Sequence, residues 1–182
     1  MADIAFASSG TITLGGHPVP GGNLKLSDNV TAVSEIDYFL SPHFSTTLTL
    51  GIPPETHADG TGSLAGAGRL GAVTYGPTTA LLNYHFSGLG RLRPWIGAGP
   101  TLMLVFAHKD GAIQHLNVDS HFGGAIEAGA EYRLGRRFGL YAAVAKLFLT
   151  TEGGGTFDGL PVKAHVDLNP LVVKSGLVFH FR

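Results

Sequence analysis

The sequence predicts an all-β fold, an eight-stranded antiparallel up-and-down barrel that crosses a membrane, formed by residues 1–182 as one domain. Three observations carry this. Apolar and polar residues alternate with period two in segment after segment. The connections alternate between long and short. Aromatic residues gather where the segments end.

The eight segments lie near 2–14, 31–40, 43–52, 76–86, 93–108, 119–134, 137–151 and 164–181. In 31–40, Ile36, Tyr38 and Leu40 oppose Glu35 and Asp37. In 43–52, Phe44, Leu48, Leu50 and Ile52 oppose Ser45, Thr47, Thr49 and Gly51. In 78–86, Ala80, Leu82, Tyr84 and Phe86 oppose Asn83 and His85. Residues 119–134 alternate most clearly, with Phe122, Ile126, Ala128, Ala130 and Tyr132 against His121, Glu127, Glu131 and Arg133. Residues 171–181 set Leu171, Val173, Leu177, Phe179 and Phe181 against Lys174, Gly176 and His180. The apolar stretches 101–107 and 139–145 are rich in Gly, β-branched and aromatic residues, which suits strands. No stretch shows a helical stripe, and none has the 18 or so apolar residues of a membrane-crossing helix.

Long, polar connections fall near 15–30, 53–76, 108–119 and 152–163, and short ones near 40–43, 87–92 and 134–137. Long loops at one end and tight turns at the other are the outer-membrane pattern, with the turns and the termini in the periplasm. Tyr38, Phe39, Phe44, Tyr84, Phe86, Trp95, Tyr132, Phe138, Phe179 and Phe181 cluster near the short-turn end, while Phe106 and Phe122 sit near the other. Such rings form belts at membrane–water interfaces.

Composition agrees. Charged residues make up 14% and hydrophobic ones 44%, with 27 glycines and no cysteine. The absence of cysteine excludes disulfides, thiolate metal sites and cysteine nucleophiles. A net charge of −1 without a basic run argues against nucleic acid. No charged start followed by an apolar run opens the chain, so a mature form is expected.

Several segments resemble the outer-membrane protein W family, which includes alkane-import proteins. They are Tyr84-His85-Phe86 followed by Arg93-Pro94-Trp95-Ile96-Gly97-Ala98-Gly99; Gly76-Pro77-Thr78; Ile52-Pro53-Pro54 with His57; and Asp167-Leu168-Asn169-Pro170 with the ending Gly176-Leu177-Val178-Phe179-His180-Phe181. The resemblance covers about residues 30–181. The chain departs from the family in having one proline before Thr78, Asn169 in place of Asp, and Arg182 after the terminal Phe that serves as an assembly signal. The resemblance implies a narrow outer-membrane barrel linked to uptake of small hydrophobic molecules.

If the apolar faces meet lipid, the other faces fill the interior. Eight strands leave room only for side chains or one small ligand, so an open pore is excluded. Near the short turns this places a polar plug of Glu35, Asp37, His85, Glu127, Glu131, Arg133, Lys174 and His180, with Lys146 above them. An ion-pair network is the plain reading of that set, because unpaired charge in a narrow interior is costly. A hydrophilic route or proton relay is the sharper one. Nearer the long loops, Met103, Val105, Val144, Phe148, Leu168 and Val172 are expected to line a pocket for a hydrophobic solute, or simply to pack. Pro100 and Pro170 fall inside strands, where they are candidates for a lateral opening or for a bend at the rim.

The nine histidines show no metal-ligand spacing, so no metal and no cofactor are expected. Ser120, His121 and Glu127 supply the residue types of a lipid A-modifying enzyme, but neighbours on a strand face opposite ways. The expected function is passive uptake of small hydrophobic solutes by a monomeric, non-enzymatic barrel. Its partners are membrane lipid and lipopolysaccharide, or detergent in their place. A structural or loop-mediated barrel is the alternative, with a soluble lipid-binding barrel behind it.

Overall fold

Pairing between the first and last strands closes the wall of this protein. The computed structural model describes residues 1–6 and 8–181. Arg182, and the expectation attached to it, lies outside the described residues. In chain order the strands are β1 (Ala2–Ala5), β2 (Ser8–Leu14), β3 (His17–Pro18), β4 (Gly22–Leu26), β5 (Asn29–Thr31), β6 (Val33–Phe39), β7 (Phe44–Gly51) and β8 (Glu55–Gly62). They continue as β9 (Arg69–His85), β10 (Leu92–Asp110), β11 (Gln114–Val118), β12 (His121–Arg133), β13 (Phe138–Phe157), β14 (Leu160–Leu168) and β15 (Leu171–Phe179).

The lower tier is a closed antiparallel ring. β1 pairs with β15, then β13, β12, β10, β9, β7 and β6 follow. β5 leads through Ala32 into β6 and pairs back onto β1, with Asp3 opposite Val30. Eight walls result; among the described residues β6 (Val33–Phe39) pairs with β7 alone, and β15 beyond Lys174 pairs with β13 alone, so the ring closes through β1 and β5.

The long connections are not loops. Each contributes strands to an upper tier. β10 runs on to Asp110. β13 runs to Phe157 and turns into β14, pairing from Leu149–Leu168 to Phe157–Leu160. β8 rides on β9 and β4 on β8, while β11 adds to β13 and β2 to β14. The barrel thus rises well above its lipid-facing zone.

Alternation becomes inside and outside. β7 reads exposed, buried, exposed, buried along Phe44, Ser45, Thr46 and Thr47. Ile126, Val144, Leu171, Val173 and Leu177 are all at least 44% exposed, so the outer face is aliphatic. Rings bound that face below, with Phe44–Tyr84, Tyr84–Phe86, Phe138–Phe179 and Phe179–Phe181 centroids 4.8 to 5.3 Å apart. Phe122, Phe148 and Phe106 stand outside at the upper limit. Ten residue steps from Phe138 to Phe148, tilted as barrel strands are, climb about 25 Å, the height of an outer-membrane apolar band. Trp95 departs from the expected girdle. Its indole points inward and donates to Glu127 at 3.3 Å.

Candidate functional site: an apolar cavity above a polar plug

The plug hangs on Lys174 of β15. Its ammonium meets Glu35 of β6 and, at 2.5 Å, Glu127 of β12. All three side chains are at most 13% exposed. Thr49 donates to Glu35 at 3.0 Å. Below them, His180 meets Glu131 at 2.6 Å, and Arg133 lies 3.8 Å from the same carboxylate. Asp37 accepts from Thr47, whose own hydroxyl accepts from Asn83 at 2.5 Å. The pairs of Lys174 with Glu35 and Glu127, and of His180 with Glu131, join strands distant in sequence, so they form only when the ring closes. A vestibule of about 1480 Å³, part of it open to solvent, lies beneath, lined by Asp37, His85, Trp95, Glu131, Tyr141 and His180 among others.

Lys146 is a correction to the expected plug. It lies on the outer face, level with Ile126 and Leu171, and its ammonium donates to the Asn169 carbonyl at 2.5 Å. The inward positions of β13 are the odd-numbered ones, Ala143, Ala145 and Leu147, which are 3 to 5% exposed.

An apolar layer seals the plug from above. Ala2, Ile4, Leu81, Ala125, Ala145, Leu147 and Val172 meet there, each at most 7% exposed. Over it opens a cavity of about 840 Å³, part of it open to solvent. Tyr75, Met103 and Leu168 line it low down. Phe6, Leu24, Leu26, Val73, Leu116, Val118, Val162 and Val166 are among its walls. Its lining is predominantly apolar, with Thr56 and Thr151 the hydroxyl residues among it.

Of the residues expected to line this space, Met103 and Leu168 do so, and Val105 is half-buried beside it. Val172 belongs to the sealing layer. Val144 and Phe148 face outward, each 47% exposed, because even-numbered positions of β13 point to lipid. Leu24, Leu26, Leu116 and Val118 were not expected. Their two-residue spacing is a strand signal, but the polar segments around them read as loop.

At both expected lateral prolines the pairing has a short gap, at Gly99 and Pro100 on β9 and at Asn169 and Pro170 on β13, but the register is kept across it. Pro100 sits opposite Gly124, and β10 keeps one register on β9 from Ala98–Leu82 to Thr101–Thr79. Past Pro170, β14 and β15 hold one register on β13, Leu149–Leu168 and Lys146–Leu171. A longer gap, with a change of register, lies between β7 and β9. β7–β9 pairing stops at Thr49–Thr79 and resumes through β8 at Glu55–Thr74. Between them Tyr75 N–H reaches the Pro54 carbonyl at 3.2 Å, while Ile52 N–H turns the other way, to Ala32 at 3.0 Å. Pro53, Pro54 and Pro77 bring no N–H to this seam.

The upper rim is charged. Lys109 meets Glu55 at 2.5 Å, and Arg69 lies 3.8 Å from Asp59. The bond from Lys109 holds the Glu55 carboxyl below the usual carboxylate range. Asp110 accepts the N–H groups of His115 and Leu116, both at 2.9 Å. Those two amides, Leu116 first, hold its carboxyl low as well. Among the described residues no group of three or more His, Asp or Glu side chains is placed to hold a metal ion. Ser120 accepts from Val105 N–H at 3.0 Å and His121 contacts the Asp119 carbonyl, while Glu127 lies down in the plug. In the interior Ser45 and His85 are in contact at 2.8 Å, with Ser45 0% exposed and His85 lining the vestibule.

A closed all-β ring with an aliphatic outer band, rings at its edges and a polar interior defines an outer-membrane β-barrel. The chain belongs to the OmpW family, whose model matches residues 2–181. It is 34% identical to the dibenzothiophene metabolism operon protein PahQ of Pseudomonas aeruginosa, over 97% of this chain and 83% of that protein. It is 27% identical to the outer membrane protein AlkL of Ectopseudomonas oleovorans, over 94% of this chain and 75% of that one. In structure it resembles the outer membrane protein OprG from Pseudomonas aeruginosa, with a TM-score of 0.93 at 21% identity, covering 100% and 92% of the two chains. AlkL in lipid bilayers superposes with a TM-score of 0.75 at 25% identity, covering 100% and 90%.

Proposed function

We propose that this barrel admits small hydrophobic molecules through the outer membrane. The carrying observation is the predominantly apolar cavity of about 840 Å³, part of it open to solvent, above the apolar cluster and the Lys174 ion pairs. A small aromatic solute buries about 200 Å² there and gains roughly 5 kcal/mol relative to water. Passing the plug would return it to charged groups and break their pairing. Passing sideways keeps it in apolar surroundings throughout. The long-loop end faces outside, the termini lie in the periplasm, and the seam between β7 and β9 is the exit into the bilayer. The barrel acts as a monomer, with its outer band against lipid and lipopolysaccharide. The relationship to a protein of a dibenzothiophene metabolism operon fits a solute of this kind.

The test is entry of octane and of naphthalene into intact cells making the barrel, against vector-only cells and against a hydrophilic sugar. Faster entry of the apolar solutes alone is the expected result. Equal entry with and without the barrel, once its presence in the outer membrane is confirmed, overturns the reading.

A further inference from the structure

The seam has an outer cover. β10 pairs with β9 at Val105–Tyr75 and again at Ala107–Thr74, so Phe106 is an extra, unpaired residue between them. A bulge of this kind re-aims its side chain. Here the ring lies across the outside of β9 at Gly76. A Cβ placed on Gly76 would meet Phe106 Cε2 at 3.0 Å and Pro53 Cγ at 3.6 Å. Phe106 therefore reaches from β10 over the bare backbone of Gly76 toward Pro53, across the stretch where the ladder is missing. It is 59% exposed, so its far side meets lipid. Inside the same wall stands Tyr75, 5% exposed, edge-on to Phe6 at 5.8 Å.

We propose that Phe106 is the outer flap of the lateral exit and sets the width of solute that leaves through it. This rests on the sideways route of the proposed function. Across the seam the ladder is missing between Thr49–Thr79 and Glu55–Thr74 apart from the Tyr75 N–H to Pro54 bond, so side chains limit its opening, and the ring packed over Gly76 and Pro53 lies on the lipid side. Nothing polar tethers it, and an exposed ring changes rotamer in picoseconds to nanoseconds. A slim alkane passes beside it, whereas a wide polycyclic solute must displace it. A ring serving only as a girdle anchor would instead affect the amount of folded barrel, and all solutes equally.

The experiment compares octane with a three-ring aromatic in cells making equal amounts of folded wild-type, Phe106→Ala or Phe106→Trp barrel. Folding is scored by the mobility shift of the unheated barrel on SDS gels. Phe106→Ala is expected to speed the three-ring solute about threefold or more and leave octane within about twofold, and Phe106→Trp to slow the wide solute selectively. Gly76→Ala crowds the ring and should shift the same ratio as Phe106→Ala does, by less. If Phe106→Ala assembles poorly, Phe106→Leu against Phe106→Trp carries the comparison. An unchanged ratio of wide to slim solute, with wild-type uptake intact, overturns the flap alone. Wild-type uptake no faster than vector overturns the import reading and the flap with it.

Discussion

Lys174 balances two carboxylates contributed by strands far from it in sequence. Substitution by Met leaves Glu35 and Glu127 facing each other in a site where all three side chains are nearly sealed. Removing one partner of a buried ion pair costs roughly 3–5 kcal/mol. Urea titration of the barrel folded in lipid vesicles should show a loss of that order for Lys174→Met. Adding Glu35→Gln and Glu127→Gln should recover most of it, because the stranded charges then disappear. Asp110 works in the opposite setting, exposed at the rim. Its carboxyl lies low because it accepts the Leu116 and His115 amides. The support it gives that turn is full above the ordinary carboxylate value near pH 4 and fades as pH falls through its lowered value. Hydrogen exchange at Leu116 and His115 should therefore be faster in Asp110→Asn than in wild type at pH 7, and the two should converge in acid.

Strand β10 shows how an element fits its neighbours. Gly97 and Gly99 both sit where a Cβ would collide, but with different groups. At Gly97 it meets the Asn83 side-chain amide, which can shift only by giving up its bond to Thr47. At Gly99 it meets the Ala80 backbone carbonyl, which the sheet holds. Gly99→Ala is therefore expected to destabilise the barrel more than Gly97→Ala, by about 1–3 kcal/mol, in the same urea titration. The run Gly153-Gly154-Gly155 carries a related lesson. As sequence it reads as a flexible loop. In the structure it is strand, paired with Ala164, Lys163 and Val162. A Cβ on Gly155 would strike Ile113 and the carbonyl of Gln114, the first residue of β11, so this small residue admits β11 against the strand. Strand propensity depends on such neighbours, and the chain does not show them locally.

For the molecule as a whole, the decisive distinction is which residues face the cavity. Met103→Trp places bulk at its lower end and should cut apolar uptake by about tenfold. Val144→Trp adds the same bulk to the lipid face and should leave uptake within about twofold of wild type. The comparison is made in cells with matched amounts of folded barrel, and equal effects of the two would mean that the solute does not occupy the cavity.

Chemistry repeated along the chain fixed the fold class. A two-residue period, few charges and rings at segment ends declare strands with one apolar face, since side chains of a strand must alternate. The plug was legible in the same way, because Glu35, Glu127, Glu131, Lys174 and His180 stand on the polar face of otherwise apolar segments. The closure of the ring decided the rest. Parity counted from a neighbouring strand, not local hydrophobicity, sent Val144, Phe148 and Lys146 outside, and apolar side chains are welcome on either face of a lipid-bound wall. Register likewise showed that the strands stay in step past Pro100 and Pro170, whereas the pairing beside Pro53 and Pro54 resumes one residue out of step. Proline interrupts a wall only where the strand beside it also fails to pair, and that is a property of two segments brought together by the fold.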